Sequence, residues 1–352
     1  MKRRLWLKIL LIIVAVILSA LIGLVIYLTV TEYSPNERQI AEYLNIKNEN
    51  TVPVDGKMTV FSWNIGYAGL NAKSDFFMDG GSNVNPTSDE VEENLSAIKT
   101  FISSQPADAW LLQEVDLHSA RTGYVNELES IAEIYSGSFA LAYNYKCEFV
   151  PIPLPPIGEV ASGIATFTNC TVKGDTFERI ALPCPFSWPV SIANLKRCLL
   201  VSRLSVYGSD KEIVLINLHL EAYDDGEGRL AQTNQLMNIL QQEYEKGNYV
   251  IAGGDFNQAF PNTLDKYPVI GDVWTPNVLN ESDLPEGFRY AFDGNSASCR
   301  LLNSPLNENS QMYVLDGFIT SPNIQVDSVE TVDLNFSNSD HNPVKLEVTL
   351  LP

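Results

Sequence analysis

The 352-residue chain carries 23 Lys and Arg against 43 Asp and Glu, a formal net charge of -20 at pH 7. That is length enough for one large domain or two small ones, and the acidic excess excludes a general coat for nucleic acid or anionic lipid, which such a charge repels at long range. The five cysteines (Cys147, Cys170, Cys184, Cys198 and Cys299) contain no Cys-x-x-Cys pair, which excludes a zinc cluster; one or two disulfides and buried free thiols are both compatible with their apolar surroundings.

The first thirty residues differ in kind from the rest. Lys2, Arg3, Arg4 and Lys8 are basic, and the 22 residues from Ile9 to Val30 hold no charge. As a helix at ~1.5 Å per residue they reach about 33 Å, against the ~30 Å hydrocarbon core of a bilayer. A signal peptide is the competing reading, but its apolar core usually runs only ~7–15 residues and ends at a small-x-small cleavage site. No such site follows Tyr27, so the segment reads as a retained anchor. The basic cluster precedes it, and the positive-inside rule then leaves the C-terminal bulk outside the cell. The first eight residues hold four of the 23 basic groups and no acidic one, so the remainder carries 19 against 43, a net of -24. A divalent cation can reverse such a field locally.

Residues 31–56 are polar and punctuated by Pro35, Asn36, Asn48, Asn50 and Pro53. They read as a stalk with a short helix near Glu37–Leu44, and a flexible chain of that length spans roughly 25–30 Å. From residue 57 strand-like and helix-like patterns alternate. Met58–Trp63 reads as a strand ending at Asn64. Asp89–Ser104 spaces Val91, Leu95, Ile98 and Ile102 as a helix does, with Ser88 as N-cap. Ala109–Gln113 is a buried strand ending at Glu114, and Gly123–Tyr135 a helix. Strands follow at Ser138–Tyr143, Gly163–Phe167, Cys198–Val206 and Glu212–Leu220. Gly228–Tyr244 is an amphipathic helix, and Tyr249–Ala252, Tyr313–Thr320, Ile324–Val332 and Pro343–Leu350 complete the strands. Lys146–Val160, with four prolines among apolar residues, and Gln258–Gln311 read as long loops, which in compact domains tend to be functional. Apolar strands covered by helices, mixed with alternating ones, indicate an α/β domain of two packed sheets with helices outside.

Polar groups collect at the strand ends. Gly253-Gly254-Asp255-Phe256-Asn257 follows one apolar run, and alternation would aim Asp255 and Asn257 to one face. The two glycines let the backbone bend and approach a ligand. Ser339-Asp340-His341 lies near the C-terminus, Asn64 and Glu114 end their strands, His219 sits in Ile216–Leu220, and Asp316 follows Tyr313-Val314-Leu315. Two of the chain's three histidines fall in these positions. Carboxylates, amides and imidazoles of this kind suit metal-assisted phosphoester hydrolysis. Arg121, Arg197 and Arg229 are the arginines available for phosphate contacts, although exposed arginines need no special role.

Taken in order, WNIG around Asn64, LLQEVD around Glu114, INLHL around His219, GGDFN with Asp255 and Asn257, VLDGF with Asp316, and SDHNPV with Asp340 and His341 resemble the motif blocks of the endonuclease/exonuclease/phosphatase superfamily, the deoxyribonuclease I-like proteins. The resemblance covers residues 58–350 and implies a four-layer α/β/β/α sandwich of two mixed sheets. It also implies a divalent-metal phosphodiesterase or phosphatase. Glu114 and Asn64 would bind Mg²⁺ (Mn²⁺ or Ca²⁺ being compatible), and Asp340 is a second metal contact or a transition-state organiser. Asp255 would orient or deprotonate the attacking water, with Asn257 holding it or an equatorial oxygen. His341, its tautomer fixed by Asp316, would bind the phosphate, and His219 would face the phosphate or the leaving oxygen; either histidine can be the acid. The expected organisation is a cytoplasmic tail (1–8), a membrane helix (9–30), a stalk (31–56) and a catalytic domain (57–352) on the outer face of the cell membrane. Nucleic acid is the substrate that the family favours, with a membrane phospholipid close behind. A non-catalytic, membrane-anchored binding protein on the same fold is the reading from another class. No segment points to a protein partner.

Overall fold

The apolar runs that stop at Asn64, Glu114, His219 and Asp255 are strands in the computed structural model, which describes residues 2–47, 51–53, 56–224 and 226–352. In chain order, helix α1 (Lys2–Val30) is followed by the short strands β1 (Arg38–Ile40), β2 (Tyr43–Asn45) and β3 (Val52–Pro53). Then come β4 (Lys57–Asn64), helix α2 (Ser88–Ser104), β5 (Ala109–Asp116), helix α3 (Glu127–Ala132), β6 (Ser138–Val150) and β7 (Gly158–Thr168). The second half opens with β8 (Val172–Ala181), β9 (Cys198–Tyr207), β10 (Glu212–His219), helix α4 (Glu227–Glu245) and β11 (Tyr249–Asp255). Strands at Arg289–Ala291, Asp316–Thr320, Ile324–Thr331 and Val344–Leu350 complete it.

Among the described residues these strands build one sheet of eight and one of seven. The first runs β1, β8, β9, β10, β11, Asp316–Thr320 and Arg289–Ala291, with β3 on β9; the second runs Ile324–Thr331, Val344–Leu350, β4, β5, β7, β6 and β2. Both are mixed: β4 with β5 and β10 with β11 are parallel, and these pairings bring the C-terminal ends of four strands to one end of the sandwich. Val60, Leu111, Ile164, Leu200, Leu215 and Ile251 fill the space between the sheets. On the outer faces, Leu236 and Leu240 of α4 cover Val214, Ile216 and Val250, while Val91, Leu95, Ile98 and Ile102 of α2 cover Phe61, Trp63 and Trp110. The result is the expected α/β/β/α order of layers. A polar clamp crosses the core near the end where these four strands stop. Gln113 Nε2 donates to Asn217 Oδ1 at 2.8 Å, and Asn217 Nδ2 donates to the Leu112 and Ala165 carbonyls of the opposite sheet. Buried amides bonded across the core in this way fix how two faces slide on each other, which apolar packing alone does not.

Helix α1 is long and apolar enough to cross a membrane, with mean hydropathy 3.4 over its most apolar stretch within Arg4–Val30. From Arg4 on its side chains are exposed except toward the end, where Leu24 and Leu28 join an apolar cluster with Val150, Phe149, Ile157, Val160 and Ile192. Trp188 Nε1 donates to Thr29 Oγ1 at 3.1 Å, and Lys196 pairs with Glu32 at 2.7 Å.

Four local expectations are corrected. The helix expected at Glu37–Leu44 is instead β1 and β2, which add to open edges of the two sheets on β8 and β6. Glu42 anchors this crossing, accepting from the Tyr33 hydroxyl, from Gln39 Nε2 and from the Tyr143 N–H. That part of the expected stalk is therefore bound to the domain; Asn48 and Asn50 lie outside the described residues. Thr87, not Ser88, caps α2, in a reciprocal capping box with Glu90. The helix expected at Gly123–Tyr135 shrinks to α3, because Gly123 and Tyr124 adopt left-handed backbone and Asn126 supplies the cap. The expected loop at Lys146–Val160 is largely the β6–β7 hairpin, with only residues 151–157 outside the ladder; β8 was not foreseen. The five cysteines are free thiols, four of them buried.

Candidate active site

Sheet register lines up the first three groups. His219 stands beside Asp255 in the parallel β10–β11 pair, and Asp255 stands beside Asp316 in the antiparallel pair that follows. From the other sheet, Asn64 stands beside Gln113, one residue before Glu114. The glycines before Asp255 serve this packing and not a ligand. A Cβ on Gly253 would meet Phe318 at 2.3 Å, and one on Gly254, whose φ is +152°, would meet the Leu218 carbonyl at 1.9 Å. Two site residues sit in left-handed backbone without being glycine, Glu114 at φ 54° and Asn257 at φ 48°. Such strain costs about 1–3 kcal/mol and persists where the surroundings overdetermine it. At Glu114 it interrupts the β5–β7 ladder between Leu112 and Val115, turning the carboxylate out of the sheet. At Asn257 it ends the extended chain, so strand alternation does not set its direction. The Asn257 N–H donates to Asp255 Oδ1 at 2.8 Å, and its Nδ2 donates to the Leu220 carbonyl at 2.9 Å.

One oxygen is the focus of the site. Asp255 Oδ2 accepts from Asn64 Nδ2 at 3.1 Å, with His219 Nε2 at 3.5 Å and His341 Nε2 at 3.7 Å. Burial pushes the Asp255 carboxyl up to about 6, opposed by His341 and assisted by Asp316. The two imidazoles are driven apart. His219 is held well below its usual value by burial, then by Arg197 and His341, and its Nδ1 has no protein partner. His341 is pulled down by burial, yet Asp316, Cys299 and Asp255 carry it well above its usual value. Its Nδ1 lies 2.8 Å from Asp316 Oδ2, which also accepts from the Ser298 hydroxyl at 2.7 Å. Two imidazoles of opposed proton affinity thus flank one carboxylate.

Glu114 and Asp340 line the same cavity, of about 400 Å³, as Asp255, Asn257, His219 and His341. Burial lifts the Asp340 carboxyl to about 7, with His341 lowering it and Glu114 raising it. Asn64 Nδ2 bridges Glu114 Oε1 and Asp255 Oδ2, and its Oδ1 accepts from the Gly66 N–H, which leaves one lone pair of that oxygen. This donor set fits a hard divalent cation: carboxylates crowded in a dry pocket are stabilised by such an ion, and every donor is oxygen or imidazole. Asp255, Asp316 and His341 also bring ligand atoms within 4.8 Å of one another. Each of the eight residues singled out in the sequence is therefore in one cluster, with Asp316 behind His341.

Of the three arginines available for phosphate contacts, Arg121 and Arg197 reach the cavity. Arg197, buried and paired with Glu221 at 3.5 Å, lines the cavity with an unpartnered Nη1. Arg121 forks onto Asp116 and stacks over Tyr67. Arg229 pairs with Asp224 at the start of α4 and does not reach the cavity. Asp79, raised by burial, accepts from Tyr223, and Tyr223 packs beside Trp274 on the cavity wall. Ser298 and the Gln113–Asn217 clamp lie just behind the motif residues. Gln113 and Asn217 were inside the quoted motifs, whereas Ser298 sits in a segment with no periodicity at all.

Residues 61–341 match the sequence profile of the Endonuclease/Exonuclease/phosphatase family. The chain belongs to that family. Its members are hydrolases of phosphoester bonds that generally use divalent metal ions. Among solved structures, the chain is similar to an endonuclease/exonuclease/phosphatase from Beutenbergia cavernae, at 15% identity and TM-score 0.58, covering 84% of this chain and 72% of that one. It is similar to the Bacteroides vulgatus protein of the same description at 13% identity and TM-score 0.53, over 84% and 99% of the two chains. Truncated TDP2 of Caenorhabditis elegans shares 15% identity and a TM-score of 0.51, over 84% and 98%. At such identities the likeness is one of fold. No curated protein matches the chain in sequence.

Proposed function

We propose that this chain is a Mg²⁺-dependent phosphoester hydrolase held at the outer face of the cell membrane by α1, with residues 1–8 in the cytoplasm. The observation that carries the reading is the convergence of Asn64, His219 and His341 on Asp255 Oδ2, in the same cavity as Glu114 and Asp340. Glu114, Asp340 and the free lone pair of Asn64 would hold the cation. When bound there, it would neutralise phosphoryl charge and draw charge from the leaving oxygen. Asp255 accepts the proton of the attacking water, a task suited to a carboxylate raised toward neutrality. Asn64 and the Asn257 N–H orient that carboxylate. His341, an imidazolium fixed at Nδ1 by Asp316, donates from Nε2 to a phosphoryl oxygen. His219, neutral and buried, is the proton acceptor and donor nearest the leaving side.

The test is hydrolysis of bis-p-nitrophenyl phosphate by the full chain in detergent micelles. Activity should appear with Mg²⁺, vanish with EDTA and return on Mg²⁺ addition; Mn²⁺ and Ca²⁺ measure ion preference. EDTA-insensitive turnover, or turnover unchanged in Asp255→Ala, would overturn the reading. Polynucleotide is the second reading: Phe76, Tyr223 and Trp274 line the cavity and offer faces for base stacking. The strongly acidic domain works against it.

A further inference from the structure

The membrane helix and the cavity meet at one place. Leu24 and Leu28 of α1 share a cluster with Val150, which precedes the turn 151–157, and Ile157, its last residue. Counting ~30 Å of hydrocarbon at ~1.5 Å per residue from Ile9 places the outer acyl boundary near Leu28. Leu24 lies about 6 Å inside that boundary by the same rise. The turns that touch this stretch of helix therefore sit at, or just inside, the outer edge of the acyl layer.

Those turns are apolar and uncovered. Ile152 is 73% exposed, Leu154 88%, Trp188 59% and Val190 54%. Single exposed apolar residues need no explanation, but four of them on two turns beside a membrane helix form a patch that does. Trp188 leans over a groove along Leu21, Val25 and Thr29 while its indole N–H donates to Thr29, the placement that suits tryptophan at a membrane interface. The turn 151–157 also reaches the cavity: Ile152, Ile157 and the preceding Val150 form part of its wall, and Asp255, His219 and Asp340 line it too. The turn 151–157 and Val150 before it are thus shared between the contact with α1 and the wall of the cavity that holds the catalytic groups.

We propose that the turns 151–157 and 187–190 rest in the outer leaflet and that the phosphoester hydrolysed is that of a lipid in that leaflet, drawn along the Ile152–Ile157 wall. This rests on the hydrolase reading above and names its substrate class. In the reaction a water oxygen forms a new bond to phosphorus and the bond from phosphorus to the lipid oxygen breaks. The water proton ends on the lipid hydroxyl, and the phosphorylated headgroup leaves. Delivery by apolar contact requires no electrostatic attraction, which an acidic domain cannot supply.

The full chain, reconstituted with Mg²⁺ into vesicles of phosphatidylcholine, phosphatidylethanolamine and sphingomyelin, should release water-soluble phosphate esters detectable by ³¹P NMR. The double variant Leu154→Asp/Val190→Asp should release them about ten-fold more slowly, since charged groups are disfavoured at that depth. Its hydrolysis of bis-p-nitrophenyl phosphate should stay within about two-fold of wild type, as expected for surface changes away from the site. Hydrolysis of the soluble ester with no lipid hydrolysed, or equal loss on both substrates, overturns the proposal. A second readout does not depend on turnover: brominated phosphatidylcholine should quench a fluorescence component that disappears in Trp188→Phe. Absence of that component overturns the membrane seat. If neither substrate is hydrolysed by wild type, the hydrolase reading fails and the lipid substrate with it, while the quenching still decides the seat.

Discussion

The floor and the mouth of the cavity are built on opposite rules. On the floor, Asp255, Asp316, His219 and His341 are all buried; Asp255 is held by Asn64 and by the Asn257 N–H, and Asp316 by Ser298 and His341, partners that come from different segments of the fold. At the mouth, Ile152 and Leu154 project from a turn with nothing over them. Over-determination fixes geometry at the cost of tolerance, because removing one partner leaves a buried polar group without compensation. An uncovered turn does the reverse: its side chains can change with little effect on the fold, and what they contact lies outside the chain. Substitutions on the floor should therefore alter turnover on any phosphoester, and substitutions at the mouth only on a substrate the mouth must engage.

The largest break expected is Asp255→Asn. It keeps the shape and the contact with Asn64 but removes the proton acceptor, so kcat on bis-p-nitrophenyl phosphate should fall by about 10³ with the thermal transition retained. Asp316→Asn comes next. It leaves His341 without the charge that holds its proton and its ring, and kcat should drop by ~10–100-fold, the usual cost of losing a partner one step behind the reacting groups. Because Asp316 raises the imidazolium, the alkaline limb of the rate profile should move to lower pH in this variant. An alkaline limb that stays in place would show that His341 does not titrate in catalysis.

With Asp255 as the proposed proton acceptor, its ionisation sets the acid limb. Its folded value, about 6, lies above the ordinary carboxylate range, so the folded apo-protein binds that proton more tightly than the unfolded chain. Its contribution to stability is present at low pH and is lost as pH rises through about 6. Catalysis needs the opposite form, so kcat/KM should fall below about pH 6. A bound cation favours the ionised carboxylates, and raising Mg²⁺ should shift that limb downward. A limb insensitive to Mg²⁺ would separate Asp255 from the cation.

These groups were legible in sequence because each one terminates an apolar run: burial of a strand and exposure of its last residue to a cavity are written in the same few positions. Asn64, Glu114, His219 and Asp255 announce themselves in this way. Their conformations do not. Nothing in Leu112–Val115 reveals that Glu114 takes left-handed backbone, because that geometry depends on β7 as a partner. The helix expected at Glu37–Leu44 failed for a related reason: β1 and β2 exist only because distant edges on β8 and β6 offer ladders. The β6–β7 hairpin was hidden by its four prolines, which mark the turn but mask the strands on either side. A helix long and apolar enough to cross a membrane was readable from composition; its seat against Val150 and Ile157 was not, since Leu24 and Leu28 look like every other apolar residue of α1.

Ser298 is the sharpest small test of the over-determined floor. Its hydroxyl donates to Asp316 Oδ2 at 2.7 Å and accepts from the Leu315 and Asp316 N–H groups at 2.9 and 3.0 Å. Ser298 is not itself part of the cavity lining and makes no hydrogen bond to His341, so its influence on that ring passes through Asp316. Ser298→Ala leaves two buried N–H groups and one carboxylate oxygen short of a partner, which should lower stability by about 1–3 kcal/mol. Turnover should fall by no more than about ten-fold, because Asp316 still faces His341 but is less firmly aimed. Ser298→Thr restores the hydroxyl and should recover both quantities if the added methyl is accommodated. A purely structural serine would lower the melting temperature while leaving kcat and its pH profile where they were. Movement of the alkaline limb toward that of Asp316→Asn is the outcome that ties Ser298 to the imidazolium.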